Sequence, residues 1–158
     1  EGQRFFGLGL QKDSETRETP VLETARRWLD VYFSGQDPSF SVPLHVQGTE
    51  FQQRVWRALL TIPYGATSTY GQIARQMAAE NGGGRVSARA VGHAVGRNPV
   101  SLLIPCHRVV GTDGSLTGYA GGIPRKASLL ALERSGVLPP SAELPALCAD
   151  SALTSPKV

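Results

Sequence analysis

Between Thr49 and Pro99 the chain carries three helix starts and three helix stops, so this stretch can fold only as a run of short helices. "GTEFQQRVWRALLTIPYG" opens with Thr49 and places Gln52 three residues on, the reciprocal pattern that satisfies free N–H groups at a helix start. Phe51, Val55, Ala58 and Leu59 form its apolar stripe, and the helix has to stop before Pro63. "TSTYGQIARQMAAENGGG" repeats the device with Thr69 and Gln72, turns Ile73, Ala74 and Met77 inward, and ends at three glycines. "VSARAVGHAVGRNP" starts with Ser87 as N-cap and halts at Asn98-Pro99.

The flanks read in the same way. "TPVLETARRWLDVYFSG" predicts a helix capped by Thr19, with Pro20 at its first position and Gly35 at its end. Its stripe is Leu22, Ala25, Leu29, Tyr32 and Phe33. "QDPSFSVPLHVQG" is an extended linker with two prolines. "VSLLIPCHRVV" predicts two short extended segments bent at Pro105. "SLTGYAGG" is a loop around Tyr119, and "IPRKASLLALERSG" is a last helix with Pro124 near its start and Gly136 at its end. Two successive short helices, the second rich in small residues and arginine, fit a helix-turn-helix, although such a pair more often serves only as core packing.

A chain of 158 residues makes one domain, or two small subdomains sharing a core. No apolar run approaches the ~20 residues of a transmembrane helix. "EGQRFFGLGL" lacks the pattern of a secretory signal, so the expected location is intracellular. The two cysteines, Cys106 and Cys148, stand far apart and outside any CxxC pair, which leaves neither a disulfide framework nor a zinc site. Cys148 falls in a tail of small residues and prolines and is read as incidental. Charge is unevenly placed: residues 51–112 hold seven arginines and one acid, Glu80. That distribution suits a phosphate-binding face, and it also suits a solvated basic surface with no partner.

Cys106 raises the chemical question. A cysteine with pKa ~8.5 is only ~3% thiolate at pH 7, and full ionisation would gain ~2 kcal/mol in barrier, less what a weaker nucleophile gives back. A neighbouring imidazole, guanidinium or helix N-terminus lowers such a pKa, and His107 and Arg108 follow directly. In an extended segment, however, adjacent side chains point to opposite faces, so a water would have to relay the proton unless the backbone bends sharply. An orienting carboxylate is also needed, and Glu133 in the last helix is the best placed by type. Each residue has a plainer reading. Cys106 can be a small buried hydrophobe, His107 a structural histidine and Glu133 a solvated helix charge.

"IPCHRVV" resembles the active-site signature of the O6-alkylguanine-DNA alkyltransferases (methylated-DNA–protein-cysteine methyltransferases). "GATSTYGQIA", "SARAVGHAVGRNP", "GYAGG" and "LLALERSG" resemble the family's other blocks in the same order, together covering roughly residues 48–136. The resemblance implies that Cys106 accepts the alkyl group from O6 of guanine in DNA, irreversibly and once per molecule. It implies that His107, through a water, and Glu133 ionise the thiol, and that Asn98 braces the active-site turn. Tyr70 would crowd the flipped nucleotide's phosphate and donate a proton to the departing guanine. Arg89 would insert where the lesion leaves the stack. Ser87, Ala88, Ala90, Gly92 and Arg97 would lie along the DNA backbone, and Val109, Tyr119 and Ala120 would line the guanine pocket.

The implied fold class is α+β. Residues 1–47 would be the remnant of a small N-terminal α/β, ribonuclease-H-like subdomain with its linker, apparently truncated. Residues 48–136 would be a mainly α-helical DNA-binding and alkyl-acceptor domain with a winged helix-turn-helix-like motif. Residues 137–158 would be a tail without fixed structure. The implied partner is double-stranded DNA, bound in the minor groove with little regard for sequence; no cofactor or metal is implied. The expected state is a monomer, cytoplasmic or nuclear, neither secreted nor membrane-bound. One departure stands out, since the turn "AENGGGRVS" is several residues longer than is usual in the family. The competing functions are a lesion-binding module that does not transfer, and, more distantly, a cysteine hydrolase or acyltransferase using Cys106 and His107.

Overall fold

The computed structural model describes residues 18–139, and every cap signature in that span starts a helix. In chain order the elements are α1 (Pro20–Phe33), α2 (Glu50–Leu60), β1 (Ser68–Thr69), α3 (Tyr70–Glu80), α4 (Ala88–Val95), a 3-10 turn (Cys106–Arg108), β2 (Val109–Val110) and α5 (Ile123–Ser135). Thr49 and Thr69 each accept a hydrogen bond from the backbone N–H of a glutamine three residues on, and Gln52 and Gln72 return the bond to the cap's own N–H. Thr19 and Ser87 cap α1 and α4 with their side chains. The expectations for residues 1–17, for the tail beyond Pro139 and for Cys148 lie outside the described residues.

The main core forms where α2, α3 and α4 pack together. The expected inward residues Val55, Ala58, Leu59, Ile73, Ala74 and Met77 are all buried, and α4 adds Val91, Ala94 and Val95. Phe51 is only partly buried, and Trp56 takes a share of the core that the stripe did not assign to it. Its indole N–H donates to Ala94 O at 3.0 Å, which ties α2 to α4. Burying side chains the size of Leu59, Ile73 or Met77 is worth about 1.5–3 kcal/mol each.

Three local expectations are corrected. The helix α4 ends at Val95 with Gly96 as its cap, short of Asn98-Pro99. The segment around Cys106 is not two extended strands bent at a proline, because Cys106–Arg108 forms a tight helical turn. Only Val109–Val110 is extended, and it pairs in parallel with Ser68–Thr69, giving a small two-stranded sheet. Along α1, only Tyr32 of the expected stripe is fully buried, whereas Leu22 and Phe33 are 57% and 46% exposed.

Helix α1 nevertheless has a firm seat. Its last turn lies against the last turn of α5, and the two chain exits meet at glycines. Gly35 has φ 81°, and a Cβ there would stand 1.9 Å from Gly136 O. Gly35→Ala is therefore expected to lower stability by at least about 2 kcal/mol, from left-handed backbone strain plus a backbone clash. Thermal unfolding reads this directly, and an unchanged midpoint would mean the two helix ends do not touch. Among the described residues no helix is long and apolar enough to cross a membrane.

Candidate active site

The turn before Cys106 is built by one asparagine. Asn98 follows α4; its side-chain N–H donates to Ile104 O at 2.8 Å, and its Oδ1 accepts from Val100 N at 3.0 Å. Between those anchors the chain folds back on itself, with Leu102 in the left-handed region at φ 72°. A bulky residue pays for that conformation, so the surrounding contacts must hold it. Pro105, at φ −80° and ψ 61°, then centres an inverse γ-turn, closed by Cys106 N donating to Ile104 O at 2.8 Å.

The 3-10 turn that follows decides which side chains meet. With three residues per turn, successive side chains splay by about 120°, whereas a strand would set them on opposite faces. His107 and Arg108 can thus both reach one carboxylate, Glu133, while Cys106 faces elsewhere. The Nε2–H of His107 donates to Glu133 Oε1 at 2.7 Å. Arg108 grips the same carboxylate, with Nε 2.9 Å from Oε2 and Nη2 3.0 Å from Oε1, and its Nη1 donates to Ile62 O at 2.7 Å. Gly65 N donates to Oε2 at 3.0 Å, and the Tyr32 hydroxyl donates to Oε1 at 2.8 Å. His107 itself is wholly buried, and its Nδ1 has no hydrogen-bond partner among the described residues.

The electrostatics follow from this crowding. Burial pushes the Glu133 carboxyl up, but hydrogen bonds from His107 and Arg108, and the guanidinium charge, pull it down to about 2. Burial lowers His107 against the upward pull of Glu133, so the imidazole rests neutral. Burial raises the Cys106 thiol. Hydrogen bonding to Asn98 and Ser101 and the Lys126 charge draw it part of the way back. The resting thiol is therefore protonated, and a base must take its proton during any reaction. His107 Nδ1, a buried basic nitrogen with a free lone pair, has that capacity through a bridging water.

Tyr70 and Tyr119 flank the thiol, and the charge of a Cys106 thiolate would raise both phenols beyond what burial does. The Tyr70 hydroxyl donates to Thr117 O at 3.2 Å. Ala120, beside Tyr119, is exposed. Val109 is fully buried in the main core. On α4, Arg89, Ala88 and Ala90, with the cap Ser87 and the following Arg97, are all exposed. Gly92 stands against Tyr70 instead, where an added Cβ would sit 3.6 Å from its ring.

Three parts of this network escaped the sequence reading: the Tyr32 hydroxyl, Gly65 and Lys126. Arg108, expected both in the basic middle of the chain and as a charge beside the thiol, is instead a buried ion pair with Glu133; Arg57, Arg75, Arg85, Arg89 and Arg97 keep the exposed charge. Lys126 is wholly buried, donates to the carbonyls of Val109 and Thr117, and is pushed down to about 8 by burial. Its signal was present: Lys126, Leu129, Leu130 and Glu133 follow the spacing of one helix face.

The comparisons agree with one another. A family model described as the DNA-binding domain of 6-O-methylguanine DNA methyltransferase matches residues 50–135. The methylated-DNA–protein-cysteine methyltransferase of Mycobacterium tuberculosis (strain ATCC 25618 / H37Rv) is 56% identical over 125 residues, 77% of this chain and 73% of that one. The protein of the same name from Methanosarcina acetivorans is 49% identical over 123 residues, 78% of this chain and 76% of that one. Among solved structures, M. tuberculosis OGT in complex with DNA superposes with a TM-score of 0.68 at 52% identity, covering 77% of this chain and 72% of that one.

Proposed function

This chain belongs to the methylated-DNA–protein-cysteine methyltransferase family, and we propose that Cys106 is the residue that accepts the alkyl group. The protein repairs DNA alkylated at O6 of guanine by transferring the group to its own cysteine, and DNA is its partner. One observation carries the Cys106 assignment. A buried thiol is followed directly by a buried imidazole that is tethered to a carboxylate at Nε2, while its Nδ1 has no partner among the described residues.

The reaction follows from that geometry. His107 Nδ1 takes the thiol proton through a water, and Glu133 holds the imidazolium. The sulfur lone pair attacks the alkyl carbon as the carbon–O6 bond breaks, and that bond's electron pair leaves on O6. The departing guanine takes the Tyr70 hydroxyl proton, and the proton held by His107 returns through solvent to the Tyr70 oxygen. The product is unmodified guanine and a thioether, which offers no path back, so each molecule acts once. Lys126 favours the thiolate by its charge, and Asn98 keeps the Cys106 turn in place. Tyr119, Val109 and Ala120 are the proposed neighbours of the guanine.

A thiol this buried cannot meet a base inside a duplex, so the nucleotide must rotate out of the stack at a cost of a few kcal/mol. We assign DNA binding and alkyl acceptance to residues 48–136, with α3 and α4 as a helix-turn-helix presented to the minor groove. The exposed small residues Ala88 and Ala90 let α4 approach closely, and the exposed arginines bind phosphates without reading sequence. Arg89 is the proposed wedge. Arg89→Ala is expected to slow transfer from duplex DNA about 10- to 100-fold, the equivalent of about 1.4–2.8 kcal/mol of lost help in opening the stack. Reaction with free O6-methylguanine base should be unchanged, and equal losses on both substrates would remove Arg89 from this role.

The direct test is intact-protein mass after incubation with an oligonucleotide carrying O6-methylguanine. One added methyl group mapped to Cys106 is the expected result. Tight binding with unchanged mass would favour a lesion-binding module instead.

A further inference from the structure

We propose that Tyr32 is a positioning residue for the transfer: its hydroxyl, set between Glu133 and His107, fixes His107 in the tautomer that leaves Nδ1 free to take the thiol proton. The inference rests on the proposed role of Cys106 and extends it to α1, which lies outside the matched residues 50–135.

The single hydrogen of the phenol decides the tautomer. The Tyr32 oxygen lies 2.8 Å from Glu133 Oε1 and 3.2 Å from His107 Nε2. A phenol carries one hydrogen, and an ionised carboxylate can only accept, so that hydrogen belongs to Oε1. What remains toward Nε2 is an oxygen lone pair. Nε2 therefore faces two acceptors, Oε1 at 2.7 Å and the phenol oxygen, and has to carry a proton. The opposite tautomer would set three lone pairs against each other among fully buried side chains. Once Nδ1 has taken the thiol proton, the same two acceptors face the imidazolium, and its charge is stabilised where it forms.

Tyr32 is built to hold this position without help from the hydrogen bond. Its ring stacks on Trp28 at 5.2 Å between centroids and meets Tyr64 edge-on at 5.9 Å. The phenol is wholly buried. Burial, then the Glu133 charge, raises it far above its ordinary range, so it stays neutral at any working pH. The other titratable groups around the pair are Arg108 beside it in the 3-10 turn, Lys126 on α5, Tyr64 between α2 and β1, and Cys106 itself. Asp37 adds its charge to that of Glu133 in raising Tyr64.

The test compares Tyr32→Phe with Tyr64→Phe, which removes a neighbouring hydroxyl that has no hydrogen-bond partner among the described residues. Methyl transfer and alkylation of Cys106 by a small haloacetamide are followed across pH. In Tyr32→Phe both rates should fall about tenfold near neutral pH. The deficit should shrink as pH rises and the thiol ionises without the imidazole. Tyr64→Phe should overlay the parent. A profile for Tyr32→Phe that matches the parent, or one lowered evenly at all pH values, would reduce Tyr32 to packing. A second measurement needs no variant: the nitrogen shifts of His107 in the unaltered protein should report Nε2–H with an unprotonated Nδ1. An Nδ1–H tautomer would overturn the proposal whether or not Tyr32→Phe folds. If the parent takes up no methyl group, the transfer role of Cys106 fails on its own, and the tautomer still stands or falls by its spectrum.

Discussion

Replacing Cys106 with serine is expected to abolish transfer while leaving affinity for alkylated duplex DNA within about twofold of the parent. The two side chains differ by one atom, and the proposed DNA contacts lie on α4 and the exposed arginines, away from the thiol. The chemistry differs far more. A buried hydroxyl beside a neutral imidazole stays protonated, and no tetrahedral intermediate or oxyanion site helps it displace an alkyl group at carbon. A fall of at least about 10⁴-fold in rate, equal to about 5.5 kcal/mol in barrier, is expected. Single-turnover kinetics together with a binding titration separate the two functions. Residual transfer at a comparable rate would place the acceptor elsewhere, and loss of binding would mean the substitution had disturbed the fold.

The second large effect is expected from Glu133→Gln, in stability as well as rate. The carboxylate accepts from His107, Arg108, Tyr32 and Gly65 with its own side chain fully buried. An amide of the same shape removes the charge, turns an N–H toward at least one of those donors and leaves the Arg108 guanidinium buried without its partner. Breaking a buried pair in this way costs about 3–5 kcal/mol. For a chain of this length that corresponds to a fall of about 10 °C in unfolding temperature. Transfer should slow by about 100-fold as His107 loses the group that stabilises its charged form.

The same carboxylate sets an acid limit. Its folded pKa is about 2 against an ordinary 4.5, so the folded state holds the ionised form more tightly than the unfolded chain does. The stability this supplies, about 3 kcal/mol, is fully present above pH 4.5 and is lost as pH falls toward 2. Glu133→Gln should flatten that part of the stability curve while lowering the whole of it. Urea midpoints between pH 2 and 7 would show this, and parallel curves for parent and variant would mean that Glu133 is not the group responsible.

Much of the molecule was legible because its signals are local. A threonine followed three residues later by glutamine satisfies its own helix end wherever the chain goes, so the starts of α2 and α3 could be read directly. A proline or glycine likewise stops a helix regardless of neighbours. The apolar stripes of α2 and α3 came through for a related reason: a helix with one oily face has one face to bury. Cys106, His107, Tyr70 and Arg89 stand out as candidates through motifs that keep fixed spacing along the chain.

What failed depended on contacts between distant residues. The strand expected at Cys106 became a 3-10 turn because Asn98 holds Ile104 and Val100 from outside the segment. Arg108 reads in the sequence as a charge beside the thiol, but its burial depends on a carboxylate waiting across the fold, and Glu133 lies 25 residues away. Tyr32 was placed on an apolar stripe, yet its hydroxyl is what matters, and its partner lies 101 residues further along.

The sequence by itself therefore determined the helices, the candidate acceptor cysteine and the family. Caps, breakers and motifs exert their effect over a few bonds and do not wait for the fold. Only the tertiary structure decided the protonation logic of the site. Whether a histidine is neutral, an arginine buried or a tyrosine a donor is settled by desolvation and by which charges lie within about 4–6 Å. That neighbourhood is assembled from α1, the loop after α2, the Cys106 turn and α5, and it exists only once they have packed.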